Sequence, residues 1–180
     1  KRYEDKDGGN VMDIVRYKPK GYRTKRPDGK WSLDGVTRVP YRLPQMLEAI
    51  KIGKDILILE GEKDCENAEK FGLVATTFAG GAGKWRKEYS EWFQDAKVIC
   101  LPDHDDAGRK VMHHIASEIS MVAESVRLLE LPDLLEKGDF SDWIKIEGNN
   151  LAKFNSLITK ISSTWTSELV EEDDNGQLLK

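Results

Sequence analysis

From Gly53 onward, apolar segments of strand length alternate with segments of helical spacing, and this alternation constrains the fold more than any other feature of the sequence. The predicted strands cover 55–60, 74–78, 97–101 and 125–131, and the predicted helices cover 64–71, 85–93, 107–120 and 140–146. Strands that alternate with helices form a mostly parallel sheet with helices on its faces. The sequence therefore predicts the α/β class.

The first 54 residues have a different pattern. Turn signals such as Asp7-Gly8-Gly9-Asn10 and Pro27-Asp28-Gly29 separate short alternating segments, which predicts small antiparallel strands and hairpins. A short helix opened by Pro44 is expected over 43–50. We therefore divide the chain into a β-rich subdomain at 1–54, an α/β domain at 55–150, and a C-terminal helix (151–165) with a polar tail up to residue 180.

Charge is distributed unevenly between these parts. The chain has a net charge of -4, yet residues 1–54 carry 14 Lys and Arg against 7 Asp and Glu. Basic groups neutralise phosphates and aromatic rings stack on bases, so a basic segment that contains Tyr17, Tyr22 and Trp31 suits single-stranded nucleic acid. The alternative is a solvated hairpin that happens to be basic. The basic residues that we assign to this contact are Arg16, Lys18, Arg23, Arg26 and Arg38.

The remaining composition bears on cellular location. No apolar run approaches the length that spans a bilayer, and the first residues of this sequence lack the apolar region of a signal peptide. Cys65 and Cys100 lack metal-ligand spacing and are expected to be reduced, which predicts a cytoplasmic protein without a membrane partner. Because the chain starts at Lys1, we expect it to be a fragment of a longer protein.

Carboxylates follow two of the predicted strands, at the edge where open α/β sheets bind ligands. Glu60 ends the first strand, and Asp103 and Asp105 follow the third. In extended backbone, residues i and i+2 point the same way, so two such carboxylates repel each other unless a cation joins them. Mg²⁺ and Mn²⁺ prefer hard oxygen ligands of this kind. The sequence therefore predicts a divalent metal site, with a solvated loop as the alternative.

A glycine-rich loop follows the second strand. It departs from the P-loop, because Phe78 stands where that motif has Gly and Trp85 where it has Ser or Thr. Backbone N–H groups of such a loop, together with Lys84, are still suited to a phosphate, and the alternative is a flexible turn. The residues that we assign to phosphate or nucleic acid at this edge are Gly80, Gly81, Gly83, Lys84, Arg86 and Arg109.

Weaker candidates lie nearby. Segment 137–142 predicts either a helix cap made by Ser141 or Asp142, or a further carboxylate pair. His104 is expected to be an exposed spacer. The aromatic residues of 85–93 recur at helical spacing and are expected in the core.

Together these residues resemble the TOPRIM domain, the catalytic module shared by bacterial-type primases, type IA and II topoisomerases and some nucleases. The family signature is a Glu that ends one strand and an Asp-x-Asp that ends a later one, matched here by Leu59-Glu60-Gly61 and Asp103-His104-Asp105. The closer likeness, over residues 55–145, is to primase-type modules of phage and mobile-element replication proteins. It is carried by 60–64, 77–85, 103–109 and 137–143.

The resemblance implies the catalytic fragment of a DNA primase, a metal-dependent nucleotidyltransferase that joins ribonucleoside triphosphates on a single-stranded DNA template. It implies a TOPRIM-like sheet, a replicative helicase as partner or neighbouring domain, Glu60 as general base, general acid or metal ligand, and Asp103 and Asp105 as ligands of Mg²⁺ or Mn²⁺. Asp64 matches a further acidic position of primases.

The likeness also extends to the last acidic segment and to the glycine loop. Asp139 and Asp142 occupy the place of a third acidic cluster, although two residues separate them where the family has one. Lys84 is implied to contact nucleotide phosphate or template.

Three other functions compete with this interpretation. One is a nuclease or topoisomerase-type cleavage of DNA at the same acidic site, and another is a non-catalytic nucleic-acid-binding module. A phosphatase of the haloacid dehalogenase type is disfavoured, because that chemistry needs its Asp-x-Asp after the first strand and here it follows the third.

Overall fold

The computed structural model of the chain describes residues 1–18 and 21–160. The strands are β1 (Arg2–Glu4), β2 (Asn10–Tyr17), β3 (Gly21–Lys25), β4 (Asp55–Ile58), β5 (Val74–Thr76), β6 (Lys97–Cys100) and β7 (Ser125–Leu128). The helices are α1 (Leu43–Lys51), α2 (Glu62–Lys70), α3 (Asp106–Ile119), α4 (Phe140–Trp143) and α5 (Leu151–Lys160). Two 3-10 helices, Ala82–Lys84 and Lys87–Phe93, lie between β5 and β6.

The N-terminal strands form an antiparallel sheet in the order β1-β2-β3, as the turn signals predict. In the hairpin of β2 and β3, Arg16 lies opposite Tyr22. The sheet is fixed to the rest of the molecule through Tyr3, which is fully buried. Its ring packs at a tilt against that of Tyr41, with centroids 5.2 Å apart, and its hydroxyl donates a hydrogen bond to Glu62. The two sheets therefore share one hydrophobic core.

The second sheet is all-parallel, with the order β5-β4-β6-β7, which confirms the predicted α/β class. Its central strands are apolar along their length because both faces are covered, and 56–59 and 98–101 are all buried. The chain runs from β4 outward to β5 and then crosses to β6 on the other side of β4. The carboxyl ends of β4 and β6 therefore flank the topological switch point, where open α/β sheets bind ligands.

The continuous helix predicted over 85–93 is wrong. Trp85 and Arg86 have extended backbone, and only the short 3-10 segment Lys87–Phe93 follows them. The break lets the rings of Trp85 and Tyr89 pack on Phe78, at centroid distances of 4.8 and 4.7 Å. The aromatic residues are thus placed in and around the core as expected, by tertiary packing rather than by helical periodicity.

Other boundaries shift by a few residues. The last strand ends at Leu128 and α4 ends at Trp143, so both are shorter than predicted. Helix α5 buries Phe154 against Phe140 and Trp143, while residues 161–165 and the polar tail lie outside the described residues. Within the described part of the chain, no helix has the length and apolar character needed to cross a bilayer.

Candidate functional site

Glu60 and Asp103 meet at the switch point. The parallel register pairs Ile58 with Cys100, and one residue later the Leu101 N–H donates to the carbonyl of Ile58 at 3.0 Å. The loops beyond β4 and β6 therefore start side by side, and the Asp103 N–H donates to Glu60 Oε1 at 3.4 Å. Adjacent parallel strands thus bring together the two acidic positions that the sequence placed at strand ends.

The backbone of Glu60 is held from the neighbouring loop. Its carbonyl oxygen accepts hydrogen bonds from the Ala82 N–H and from Thr77 Oγ1, both at 3.0 Å. A Cβ on Gly81, whose φ is +91°, would lie 3.1 Å from this same oxygen. The glycine loop therefore closes directly over the backbone of Glu60.

Gly108 is a site residue that the sequence analysis missed. A Cβ at this position would lie 2.5 Å from Glu60 Oε1 and 2.7 Å from the carbonyl oxygen of Asp103, so a larger residue would displace both. The available signal was a glycine in the first turn of a predicted helix, where glycine is intrinsically unfavourable and indicates close packing.

The side chain of Asp105 does not point the same way as that of Asp103, as the i and i+2 spacing predicted, but toward the first turn of α3. The chain bends at His104, so that the Asp105 N–H donates to the Asp103 carbonyl at 2.7 Å, and the segment is not the extended backbone assumed for residues i and i+2. Asp105 is the N-cap of α3, and its Oδ1 accepts from the Gly108 N–H at 2.8 Å. The cap satisfies a donor that the helix leaves unpaired, which commits one carboxylate oxygen to the fold.

Burial and mutual repulsion perturb the carboxylates at this edge. Burial, reinforced by the charges of Glu60, Asp64, Asp139 and Asp105, raises the pKa of Asp103 to about 8. Burial and the charge of Asp105 also raise the pKa of Glu60, against the opposing hydrogen bond from Asp103. The edge therefore concentrates carboxylates that repel one another, and Lys63, which pairs with Asp139 at 3.5 Å, offsets only part of their charge.

The donor set suits a hard divalent cation. Mg²⁺ commonly takes one or two carboxylates and fills its other positions with water and phosphate oxygens. Glu60 and Asp103 supply two carboxylates on neighbouring loops, which the hydrogen bond from the Asp103 N–H to Glu60 Oε1 holds together. Across residues 1–18 and 21–160, however, no three His, Cys, Asp or Glu side chains are grouped so as to hold a metal ion. The three-residue site with Asp105 stays a prediction, and with the cap in place it would have to use the other carboxylate oxygen, Oδ2.

Asp64 is a buried connector between helices. Its Oδ1 accepts from the N–H of Ser141 at 3.3 Å and from the Ser141 hydroxyl, and Asn67 Nδ2 donates to that hydroxyl oxygen at 2.7 Å. Burial raises the pKa of Asp64, and the Ser141 hydrogen bond opposes this shift. These contacts tie α2 to the start of α4, and a metal role for Asp64 stays a prediction.

Segment 137–142 forms a helix cap, but the capping residue differs from both that were predicted. Asp139 is the N-cap of α4 and accepts from the Asp142 N–H at 2.7 Å, while Asp142 Oδ2 accepts in return from the Asp139 N–H at 3.5 Å. Lys145 binds Asp142 at 2.8 Å and lowers its pKa. Asp139 is close enough to add charge at Asp103, whereas Asp142 is paired on the surface.

His104 is half-buried and anchors a loop, so its predicted role as an exposed spacer is wrong. Its Nδ1 lies 2.8 Å from the carbonyl oxygen of Leu134, and its N–H donates to the Gly138 carbonyl at 2.9 Å. The Lys137 N–H donates to the His104 carbonyl at 3.0 Å. These bonds hold the segment before α4 beside the acidic edge.

The predicted phosphate-binding residues divide into two groups. Lys84 packs its stem against Gly80, and Lys84, Arg86 and Gly83 are exposed beside the acidic edge. Arg109 instead pairs with Asp106 at 2.9 Å and with Glu130 at 3.3 Å. The glycine loop thus presents Lys84 on its surface, whereas Arg86 pairs with Glu88 at 3.7 Å and Arg109 pairs with Asp106 and Glu130.

The basic hairpin carries exposed aromatic rings, each with a cation close to its face. The exposed fractions are 45% for Tyr17, 63% for Tyr22 and 53% for Trp31. The cation–ring distances lie between 5.7 and 5.8 Å. The pairs are Arg16 with Tyr22, Arg23 with Tyr17, and Lys25 with Trp31.

The other predicted basic residues have different surroundings. Lys18 is exposed and Arg38 is half-buried, with its charge reaching Tyr89. Arg26 is engaged within its own turn, where it donates to the Asp34 carbonyl at 2.7 Å and pairs with Asp28 at 3.3 Å.

The comparisons with known proteins agree with this fold. No family model matches the chain, and no curated protein matches it. Among solved structures, the chain is similar to a DNA primase domain from Pseudomonas aeruginosa, with a TM-score of 0.66 and 22% identity over 91% of this chain and 50% of that one. It is also similar to a DnaG primase catalytic domain bound to ssDNA, with a TM-score of 0.63 and 20% identity over 88% and 51% of the two chains.

A third similar structure is the primase fragment of the bacteriophage T7 primase-helicase protein, with a TM-score of 0.53 and 22% identity over 87% of this chain and 61% of that one. The chain spans about half the length of the first primase structures it matches. The chain therefore has the TOPRIM fold of primase catalytic cores.

Proposed function

We propose that the chain is the catalytic part of a DNA primase, which joins ribonucleoside triphosphates on a single-stranded DNA template with Mg²⁺ or Mn²⁺ at the edge formed by Glu60 and Asp103. The observation that supports this proposal is the hydrogen bond from the Asp103 N–H to Glu60 Oε1, which places the two acidic residues side by side at the switch point, in surroundings that raise the pKa of Asp103 to about 8. Repelling, partly buried carboxylates oppose folding, so their presence together at the switch point favours a functional role.

Each residue at the edge has a role in this proposal. A divalent cation held by Glu60 and Asp103 would supply positive charge to the oxygens of the triphosphate and the pyrophosphate leaving group. Alternatively, Glu60, whose pKa is raised in the cation-free protein, could accept the proton of an attacking 3′-hydroxyl, in which case Asp103 would be the main ligand of the cation. Lys84 and Arg86 would bind phosphate oxygens beside it.

We assign the template to the basic hairpin. Its exposed rings can stack on bases while the paired cations face the phosphates, and a similar structure is bound to ssDNA. Residues 1–54 would then be the template-binding subdomain and 55–150 the catalytic domain. Arg26 and Arg109 could bind nucleic acid only by leaving their present acceptors, the Asp34 carbonyl and the Glu130 carboxylate. The similar phage fragment comes from a primase-helicase, so we expect a helicase as partner or neighbouring domain.

The proposal is tested by synthesis of labelled oligoribonucleotides on a single-stranded template. Asp103→Asn should lower metal-dependent synthesis at least about 100-fold, because it removes a charge that the cation requires. The matched control is Asp133→Asn, at an exposed position with φ +66° that asparagine also tolerates. Circular dichroism checks the fold. Undiminished synthesis by Asp103→Asn would contradict the proposal, and cleavage of plasmid DNA without synthesis would favour a nuclease.

A further inference from the structure

The N-terminal sheet has two faces with different surroundings. Side chains alternate along a strand, so Tyr3 and its register partner Met12 share one face, and both are fully buried against the core. Ile14 and Tyr22 continue this face, which we call the inner face, and they line a cavity of about 320 Å³ together with the glycine loop. The glycine loop also closes over the backbone of Glu60. The inner face therefore adjoins the acidic edge.

The opposite face of the sheet is turned to solvent, and we call it the outer face. Arg23 and Lys25 lie on it, two residues apart along the edge strand β3. The ring of Tyr17 lies on it as well, across the hairpin. Asp13, the register partner of Lys25, is paired with Arg2 at 3.5 Å, so its charge is balanced by a third cation. The outer face therefore combines positive charge with an exposed aromatic ring.

The ring of Tyr17 is held in place on the outer face. A Cβ on Gly21 would lie 2.5 Å from two of its ring carbons, so the ring packs directly over the glycine backbone while the residue stays 45% exposed. The guanidinium of Arg23 lies 5.8 Å from the ring centroid, which leaves it free to move to a phosphate when a base stacks there. An oriented ring lowers the entropic cost of such stacking.

Trp31 presents a second ring beside the edge of the sheet. It is 53% exposed, and Lys25 Nζ lies 5.7 Å from its ring centroid. Its turn is fixed by Arg26, which donates to the Asp34 carbonyl at 2.7 Å. An open cavity of about 310 Å³ lies between Trp31 and Arg23. This volume is at the lower end of the range for small-molecule sites and suits a single base.

A path connects the two faces around β3. The cavity beside Trp31 and the cavity on the inner face share Thr24 and Leu33 as lining residues, so the two cavities adjoin there. Within the described residues, β3 is the last strand of its sheet and pairs with β2 alone. An extended single strand of DNA can therefore run from the acidic edge along the inner face and over β3 to the outer face.

Building on the proposed function, we propose that the outer face is a second binding surface for single-stranded DNA, which holds the part of the template that lies outside the acidic edge. The two faces point in opposite directions, so the stretch of template at the acidic edge does not reach Tyr17. Arg23 and Lys25 bind phosphates of the flanking stretch, and Tyr17 and Trp31 stack on its bases. The outer face thus contributes to affinity for long templates.

The test compares synthesis by the whole chain on two templates with the same central sequence, one of about 6 nucleotides and one extended on both sides to about 20. The wild type should have a KM at least about 10-fold lower for the long template. A variant that combines Tyr17→Ala with Trp31→Ala should lose this difference. Tyr22→Ala, on the inner face, should raise the KM for both templates by a similar factor and keep the difference. The matched control is Met121→Ala, an exposed apolar residue after α3, which should behave as the wild type.

Fluorescence anisotropy with the same two oligonucleotides separates this proposal from the proposed function, because it needs no synthesis. The double variant should lose the tighter binding of the long oligonucleotide, and Lys25→Gln should lower the salt slope of its log affinity by about 0.7. Equal affinity of the wild type for both lengths, or a length difference that the double variant keeps, would overturn the outer face and leave the proposed function standing. A length difference that the double variant loses, without synthesis by the wild type, would support the outer face and contradict the proposed function.

Discussion

At the scale of single residues, Gly108 determines how closely α3 approaches Glu60 and Asp103. Gly108→Ala would place a methyl group 2.5 Å from Glu60 Oε1. We expect a loss of about 1–3 kcal/mol in the free energy of unfolding, because backbone atoms of Asp103 must also move. Urea denaturation measures this loss. Gly83→Ala is the control, since nothing lies within 4 Å of its Cβ position. Equal stability of the two variants would show that the packing of α3 against Glu60 and Asp103 does not require a glycine at position 108.

Asp103 should make the stability of the cation-free protein depend on pH. Its folded-state pKa is about 8, far above the ordinary value of 3.8. A carboxyl whose pKa is raised in the folded state contributes its full stability below the unfolded pKa, and that contribution is lost as pH rises toward 8. Asp103→Asn should therefore raise the free energy of unfolding by about 1 kcal/mol or more at pH 8.5 and by less at pH 5. Thermal denaturation of both proteins without divalent ions tests this prediction. A gain in stability of Asp103→Asn over the wild type that is the same at pH 5 and pH 8.5 would contradict it.

The positions of Glu60 and Asp103 could be predicted because each follows a continuous apolar run, and such runs are buried strands. The roles of Asp105 and Asp139 could not. Both are N-caps, and which carboxylate caps a helix depends on the bend of the preceding backbone. The spacing of two aspartates does not specify that bend.

At the scale of elements, the junction of α2 and α4 depends on a buried polar contact. Ser141→Ala removes the hydroxyl that binds Asp64 and Asn67, and leaves a buried carboxylate with fewer donors. We expect a loss of about 1–3 kcal/mol in the free energy of unfolding. The control is Ser117→Ala on the exposed face of α3, with a change within about 0.5 kcal/mol. Chemical denaturation of the two variants compares them directly, and equal losses would exclude a special role for Ser141.

Strands were easier to predict than the segment between β5 and β6. Strands β4 and β6 carry apolar residues on both faces. This pattern is typical of a sheet whose two faces are both covered by helices, so it identifies these strands in the sequence. The rings of Trp85, Tyr89 and Phe93 also recur at helical spacing, yet their positions are set by packing around Phe78. Periodicity alone cannot separate these two causes.

At the scale of the whole molecule, the basic hairpin and the acidic edge belong to one packed unit through Tyr3 and Glu62. Arg23→Gln on the hairpin should weaken binding of every single-stranded sequence and lower the salt slope of log affinity by about 0.7, the value for one phosphate contact. Fluorescence anisotropy at several salt concentrations measures this slope. The control is Lys160→Gln on α5, and an equal effect of both variants would indicate non-specific charge attraction.

The strand order was not predictable. Alternation of strands and helices indicates a parallel sheet, but it does not say that the chain crosses β4 between β5 and β6. This crossing places Glu60 beside Asp103, and it follows from how the whole sheet packs its helices. From the sequence, the strand pattern placed both residues at the same edge of the sheet, but it could not show that their strands are neighbours.

The central claim is that the edge formed by Glu60 and Asp103 takes a divalent cation, and paramagnetic broadening by Mn²⁺ tests it most directly. In NMR spectra of the whole chain, substoichiometric Mn²⁺ should first broaden the amide signals of Gly61, Asp103 and Gly108, and Asp103→Asn should abolish this selectivity. Broadening confined to the acidic residues 171–174, or spread evenly over the acidic surface in both proteins, would contradict the claim.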